Sequence, residues 1–200
     1  MDLAVVALTF AAIFVVELPD KTFIATLVLS TKFRPLLVWV GVGCAFAVQT
    51  GIAVSLGKAV SFLPITYVRI GAAVLFLAGA LLLFREARNA DAEEAETEAE
   101  YAERAGDPKH GWKAVAASFL VLFAAEWGDL SQLLTLSLVA KYDSPVSVFV
   151  GAFGALLAVS GLAVLIGRSL LSWVSLKWLH RVGGSVCLVL AGITLWELLR

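Results

Sequence analysis

The stretch VVELPDKTFIATLVL, residues 15–29, is apolar on both flanks yet holds Glu17, Asp20 and Lys21 within five positions. At the centre of a membrane helix each such charge costs roughly 2.5–3.5 kcal/mol, and a flanking Leu or Val returns only about 0.3–0.6 kcal/mol. The fold turns on whether these charges lie in a membrane, and the function on why they are kept there.

Composition answers the first point. Of the 200 residues, 60% are hydrophobic and 16% charged, and the mean hydropathy is +0.93. A soluble domain is nearer about half apolar and a quarter charged. Six apolar stretches, at 3–30, 36–57, 66–84, 114–139, 146–167 and 182–199, each approach the ~20 residues that span a bilayer as a helix. The fold class expected is an all-α integral membrane protein with six transmembrane helices. The first stretch lacks a basic leader and a small-residue cleavage site, so it reads as a span and not as a cleaved signal. Cys44 and Cys187 lie in separate apolar segments without metal or redox spacing and read as packing residues. Residues 86–107, EARNADAEEAETEAEYAERAGD, carry nine carboxylates and read as a solvated linker, in part helical, ending at a Gly-Asp-Pro turn.

The opening motif recurs. ELPDKTFIATL at 17–27 aligns with EWGDLSQLLTL at 126–136, matching Glu17 to Glu126, Asp20 to Asp129, Thr22 to Ser131, Thr26 to Thr135 and Lys32 to Lys141. With a one-residue slip, Pro35, Gly41, Gly51, Gly57 and Lys58 match Pro145, Gly151, Gly161, Gly167 and Arg168, and RIGAAV at 69–74 matches RVGGSV at 181–186. Shared charges, prolines and glycines in one order predict a tandem repeat: residues 1–85, an acidic linker at 86–113, and residues 114–200. Three helices per copy make the second copy enter the membrane from the opposite side, an inverted repeat.

Charge counting sets an expected orientation. One side carries Lys32, Arg34, Arg85, Arg88, Arg104, Lys109, Lys113, Arg168, Lys177 and Arg181; the other carries Lys58, Arg69, Lys141 and Arg200. The positive-inside rule makes the richer side, with the linker, cytoplasmic and both termini external. Trp39, Trp112, Trp173, Trp178 and Trp196 fall near segment ends, as interfacial anchors do.

Positions i and i+3 share a helical face, so Glu17 should project with Asp20 and Glu126 with Asp129. The repeat's two-fold relation would bring all four together near the midplane, with Thr22, Ser131, Gln132 and Gln49 as supporting groups. Hard oxygens without a histidine or thiolate pair suit Mn²⁺, Ca²⁺ or Mg²⁺ rather than Zn²⁺ or Cu⁺. Pro19 and Gly128, between each Glu and Asp, predict helix breaks that free backbone carbonyls. Four crowded carboxylates cannot all stay ionised without a cation, so protons and metal should compete for them. Lys21, four residues after Glu17, either pairs with it or acts as a tethered cation; Leu130 replaces it in the second copy.

These motifs resemble the duplicated Glu-φ-Gly-Asp-Lys/Arg-Thr/Ser signature of the Gdt family of cation/proton exchangers, which includes Golgi manganese and calcium transporters and bacterial manganese exporters. The resemblance covers nearly the whole chain and departs from the signature at Pro19 and Leu130. It implies metal-site carboxylates at Glu17, Asp20, Glu126 and Asp129, hydroxyls at Thr22 and Ser131, and export of Mn²⁺, and also Ca²⁺, from the cytoplasm against incoming protons. The implied protein is a transporter and not an enzyme, with no resident cofactor and no nucleic-acid partner, in a bacterial-type plasma membrane. Two other readings stay open at this point: an intramembrane aspartyl protease using Asp20 and Asp129, and an exporter of another small solute. His110 and His180 are both expected in loops.

Overall fold

A computed structural model of the chain describes residues 1–18, 20–173 and 176–199. Pro19 and Arg200, and the side chains of Arg168 and Trp173, lie outside the described residues, and the expectations for them with it. The fold is all-helical: 88% of the chain is helix, with no strand among the described residues. The elements are α1 (Leu3–Glu17), α2 (Lys21–Lys32), α3 (Pro35–Val60), α4 (Ile65–Ala105), α5 (Trp112–Ala125), α6 (Leu130–Tyr142), α7 (Pro145–Trp173) and α8 (Leu176–Leu199).

Four of these, α3, α4, α7 and α8, contain straight apolar runs long enough to cross a membrane. The other four make two bent pairs, α1–α2 at 70° and α5–α6 at 72°, which bring the candidate spans from four to six if each pair is counted as one. Local chemistry sets the boundaries. The Asp2 carboxylate accepts the Ala4 and Val5 amides at the start of α1, as N-cap residues do. Pro35 opens α3 at a position that needs no amide donor. Asp143, at φ 46°, ends α6 in the left-handed conformation.

Close packing runs through glycine. At Gly41 on α3 a side chain would strike the Val115 carbonyl and Ser118 of α5; at Gly151 on α7 it would strike the Val6 carbonyl and Thr9 of α1. The pairs α3–α5 and α7–α1 therefore cross with their backbones nearly touching, as small residues allow between membrane helices. Trp39, near the start of α3, donates its indole N–H to the Leu157 carbonyl of α7, at 3.1 Å. Trp112, Trp178 and Trp196 are exposed. Cys187 is buried, but Cys44 faces outward.

Helices α4 and α8 lie antiparallel along their length. Arg69 Nη1 donates to the Glu197 carbonyl at 2.9 Å near one end, and His180 Nε2 stands 3.6 Å from Glu86 Oε2 near the other. His180 is thus a buried helix residue, not a loop residue; with Glu86 opposite, a polar side chain can be held between two apolar helices.

The acidic stretch differs from a solvated loop. Helix α4 runs unbroken through it to Ala105, because Ala, Glu and Arg are strong helix formers, and stops at Gly106, whose φ is 62°. Thr97, Tyr101 and Ala105, four residues apart, are buried, while Glu96, Glu98, Glu100 and Glu103 face out. This extension lies on α2. The Lys32 ammonium donates to the Ala102 and Gly106 carbonyls, and Lys109 donates to the Ala105 carbonyl at 3.1 Å, closing the negative end of the helix with two cations.

Candidate functional site

Each bent pair places its two carboxylates on either side of a break. Glu17 is the last residue of α1 and Asp20 caps α2; Glu126 follows α5 and Asp129 caps α6. The members of a motif therefore do not share one continuous helical face, as i, i+3 spacing implies. The chain leaves the helix at the Glu and re-enters at the Asp. In both bends the Asp amide donates to the Glu carbonyl, at 3.1 Å for Asp20 and 3.3 Å for Asp129. The second bend is made possible by Gly128 at φ 80°, where a side chain is strained.

The two bends meet. One carboxylate oxygen from each of Glu17, Asp20, Glu126 and Asp129 lies within 4.8 Å of all the others. Glu17 and Glu126 are almost fully buried, and the two aspartates are partly buried. Glu17 Oε1 and Glu126 Oε1 have no hydrogen-bond partner. Buried oxygens in that condition are costly unless a proton or a cation meets them.

Hydroxyls tie the motifs together. Thr22 Oγ1 donates to Glu17 Oε2 at 3.0 Å and approaches Asp20 Oδ2 at 3.4 Å. Across the halves, the Ser131 hydroxyl interacts with Glu17 and the Thr22 hydroxyl with Glu126. A small cavity beside Glu126 is lined by Gln49, Thr50, Ser131, Gln132 and Thr135, with room for about one water-sized body. Gln49 Nε2 donates to the Phe123 carbonyl at 2.8 Å, one turn before Glu126, leaving its own buried oxygen unpartnered. Gln132 Oε1 accepts the Gly128 amide at 3.0 Å and so holds the bend itself. Lys21 is exposed.

Sequence reasoning missed two neighbours of the site. Tyr101, on the α4 extension, is buried within the field of Asp20 and Glu126; burial first, and then the Asp20 charge, pushes its phenol up to about 12. Glu86, paired with His180, also lies within electrostatic reach of Asp20. Only the buried i, i+4 spacing of Thr97, Tyr101 and Ala105 within an acidic run could have signalled the first.

Chemically, the arrangement is an oxygen-rich, anionic cluster between two broken helices, suited to a hard cation or protons. No solved structure matches the chain. Among curated proteins it is 32% identical to a GDT1-like protein of the cyanobacterium Synechocystis, over 90% of this chain and 91% of the relative. It is 32% identical to the chloroplastic GDT1-like protein 1 of Oryza sativa, over 97% of this chain and 62% of the relative. Chloroplastic protein PAM71 of Arabidopsis thaliana is 33% identical over 96% of this chain and 56% of its own length. The family described as divalent cation/proton antiporter GDT1 matches residues 5–91 and 114–200, with the acidic segment between them. Its two matched blocks contain the two bends, and with them every carboxylate of the cluster. This integral membrane chain belongs to the GDT1 family of divalent cation/proton antiporters, transporters rather than enzymes.

Proposed function

We propose that Glu17, Asp20, Glu126 and Asp129 form a single site at which Mn²⁺, with Ca²⁺ as a second cargo, competes with protons. One observation carries the reading: four carboxylate oxygens from two separate bends lie within 4.8 Å of one another, in a chain of a cation/proton antiporter family. Carboxylate and hydroxyl oxygens are the donor set of a hard cation. Burial supplies the coupling. Crowded carboxylates repel one another and hold protons when no cation is bound, and a divalent cation releases them. Thr22 and Ser131 orient the carboxylates and offer hydroxyl oxygen, and Gln49 offers an amide oxygen. Gln132 and Gly128 hold the second bend, and Lys21 is a counter-charge at the rim.

The same reading takes residues 1–85 and 114–200 as inverted repeats flanking the segment at 86–113. What supports it is an exchange of roles in the packing. Gly41 meets Val115 and Ser118, and Gly151 meets Val6 and Thr9, positions that correspond at the sequence offset of the two motifs. The stacked pairs Phe10–Phe14 and Phe119–Phe123 correspond in the same way. Rocking one repeat against the other would open the cluster to alternate sides. The distribution of basic residues supports a cytoplasmic acidic segment; in a bacterial-type plasma membrane, protons entering down their gradient drive metal out. The membership gives no support to a protease, and an anionic cluster offers little to an organic solute.

The test is flux in proteoliposomes containing a Mn²⁺-sensitive dye. A pH gradient should drive Mn²⁺ movement in the wild type and not in Glu17→Gln or Asp129→Asn. Folded wild-type protein that moves neither Mn²⁺ nor Ca²⁺ under either gradient polarity would sink the reading.

A further inference from the structure

We propose that the outer face of α8 is a binding site for an anionic phospholipid, with the phosphate held at Arg181 and one acyl chain lying along the helix as far as Leu190. The site is separate from the carboxylate cluster and uses none of its residues.

An open cavity of about 530 Å³ lies against this face. Among the described residues its wall runs from Trp178 and Arg181 through Val182, Val186 and Val189 to Leu190. Ser185 also lines it, but its hydroxyl donates to the Arg181 carbonyl at 2.8 Å and so spends its hydrogen within the helix. Below the arginine the wall is therefore apolar.

Helical spacing makes the groove. Positions 178, 182, 185 and 189 recur every three or four residues and form one stripe of α8. A different stripe, with His180, Gly184, Cys187 and Ala191, is buried. It faces α4, where Phe84 lies over Gly184 and Glu86 stands opposite His180. Packing on α4 thus uses one face of α8 and leaves the valine face outward, on the least enclosed of the four straight spans.

Length points to a lipid chain. Leu190 lies nine positions after Arg181, a rise of about 14 Å at ~1.5 Å per residue, close to half of the ~30 Å hydrocarbon core. Trp178 stands just before the apolar run of α8, which begins at His180, where an interfacial indole belongs. The groove therefore reaches from the headgroup level to about the middle of the bilayer, the depth of one leaflet.

Charge selects the headgroup. Arg85 and Arg88 of α4 and Lys177 and Arg181 of α8 are all exposed at this end, and none of them makes an ion pair among the described residues. The opposite end of the helix pair differs: Arg69 donates to the Glu197 carbonyl at 2.9 Å, and Lys141 meets Glu197 Oε1 at 3.1 Å. Cations there are answered from within the protein; those around Arg181 are left for an anion from outside. A guanidinium binds a phosphate through two parallel N–H donors, and a lipid of net negative charge is drawn to such a basic cluster. A second copy docked groove to groove about a two-fold axis would instead bring Arg181 toward its own image, a like-charge contact that opposes association.

The test is native mass spectrometry of the full chain in detergent, titrated with phosphatidylglycerol or with phosphatidylcholine carrying the same acyl chains. The wild type should retain phosphatidylglycerol at least about fivefold more tightly, the gain expected of one cation at the membrane surface. Arg181→Gln should erase most of that preference. Lys58→Gln, which removes an exposed cation elsewhere in the molecule, should leave it unchanged. Val186→Trp fills the groove while keeping every cation, and should weaken the retention of both lipids. Retention of neither lipid by the wild type, equal retention of both, or equal loss in Arg181→Gln and Lys58→Gln overturns the site. So does a dimer that Val186→Trp splits, which would put a second copy in the groove. Should Val186→Trp misfold, the comparison of Arg181→Gln with Lys58→Gln decides alone.

Discussion

The two bends carry the same chemistry on different scaffolds. In each, a glutamate ends one half-helix, an aspartate caps the next, and a hydroxyl follows two residues later. Around that shared core the surroundings diverge. Lys21 opens α2 and is exposed, whereas its counterpart Leu130 opens α6 and packs into the space above Gly79 of α4. At the far end of α2, Lys32 caps the α4 extension; at the far end of α6, Lys141 pairs with Glu197. The acidic segment is thus tied to the far end of α2 by Lys32, whereas the far end of α6 is tied to α8. The two bends share the carboxylates and the hydroxyls beside them and differ in what surrounds them.

The largest effects should be symmetric. Glu17→Gln and Glu126→Gln each remove a buried charged partner, worth roughly 3–5 kcal/mol, so Mn²⁺ affinity should fall by about a hundredfold or more in both. Titration of purified protein measures this, and a large loss in only one variant would break the equivalence of the bends. Next come the crossings. Gly41→Ala and Gly151→Ala push a methyl into a facing backbone and should each destabilise by about 1–3 kcal/mol, seen as matched losses in thermal unfolding. Unmatched losses would show that the two crossings differ.

The asymmetric effects are smaller. Gly128→Ala forces a side chain into a positive-φ backbone and should cost about 1–2 kcal/mol; a stable variant would mean the second bend tolerates another geometry. Lys32→Gln removes a charged donor to the end of α4, a contact worth roughly 1.5–3 kcal/mol at most, and should speed amide exchange over residues 95–105. Lys141→Gln should leave those amides unchanged. Equal responses would erase the distinction between the two ends.

Much of this was legible in the chain. The long helices follow from apolar length, and the candidate site follows from recurring charges whose cost demands a use. Helix breaks were signalled by Gly128, but the consequence was not: spacing alone implied that Glu17 and Asp20 share a helical face, when the break is what brings the carboxylates together. The α4 extension was obscured because an acidic run reads as solvated whether or not one of its faces is buried. Its buried stripe is only Thr97, Tyr101 and Ala105, too sparse to mark packing without α2 in view. His180 was obscured for a related reason. Flanked by Leu179 and Arg181 in a mixed stretch, it becomes a core residue because α4, far away in sequence, packs along α8 and brings Glu86 opposite it.

The most direct test of a single site built from both bends is Mn²⁺ binding to the purified protein, followed by electron paramagnetic resonance with the released protons counted. The account predicts one Mn²⁺ per chain, bound with proton release, and loss of that same signal in Glu17→Gln and in Glu126→Gln. Two independent Mn²⁺ sites, each abolished by the variant in its own motif alone, would contradict it.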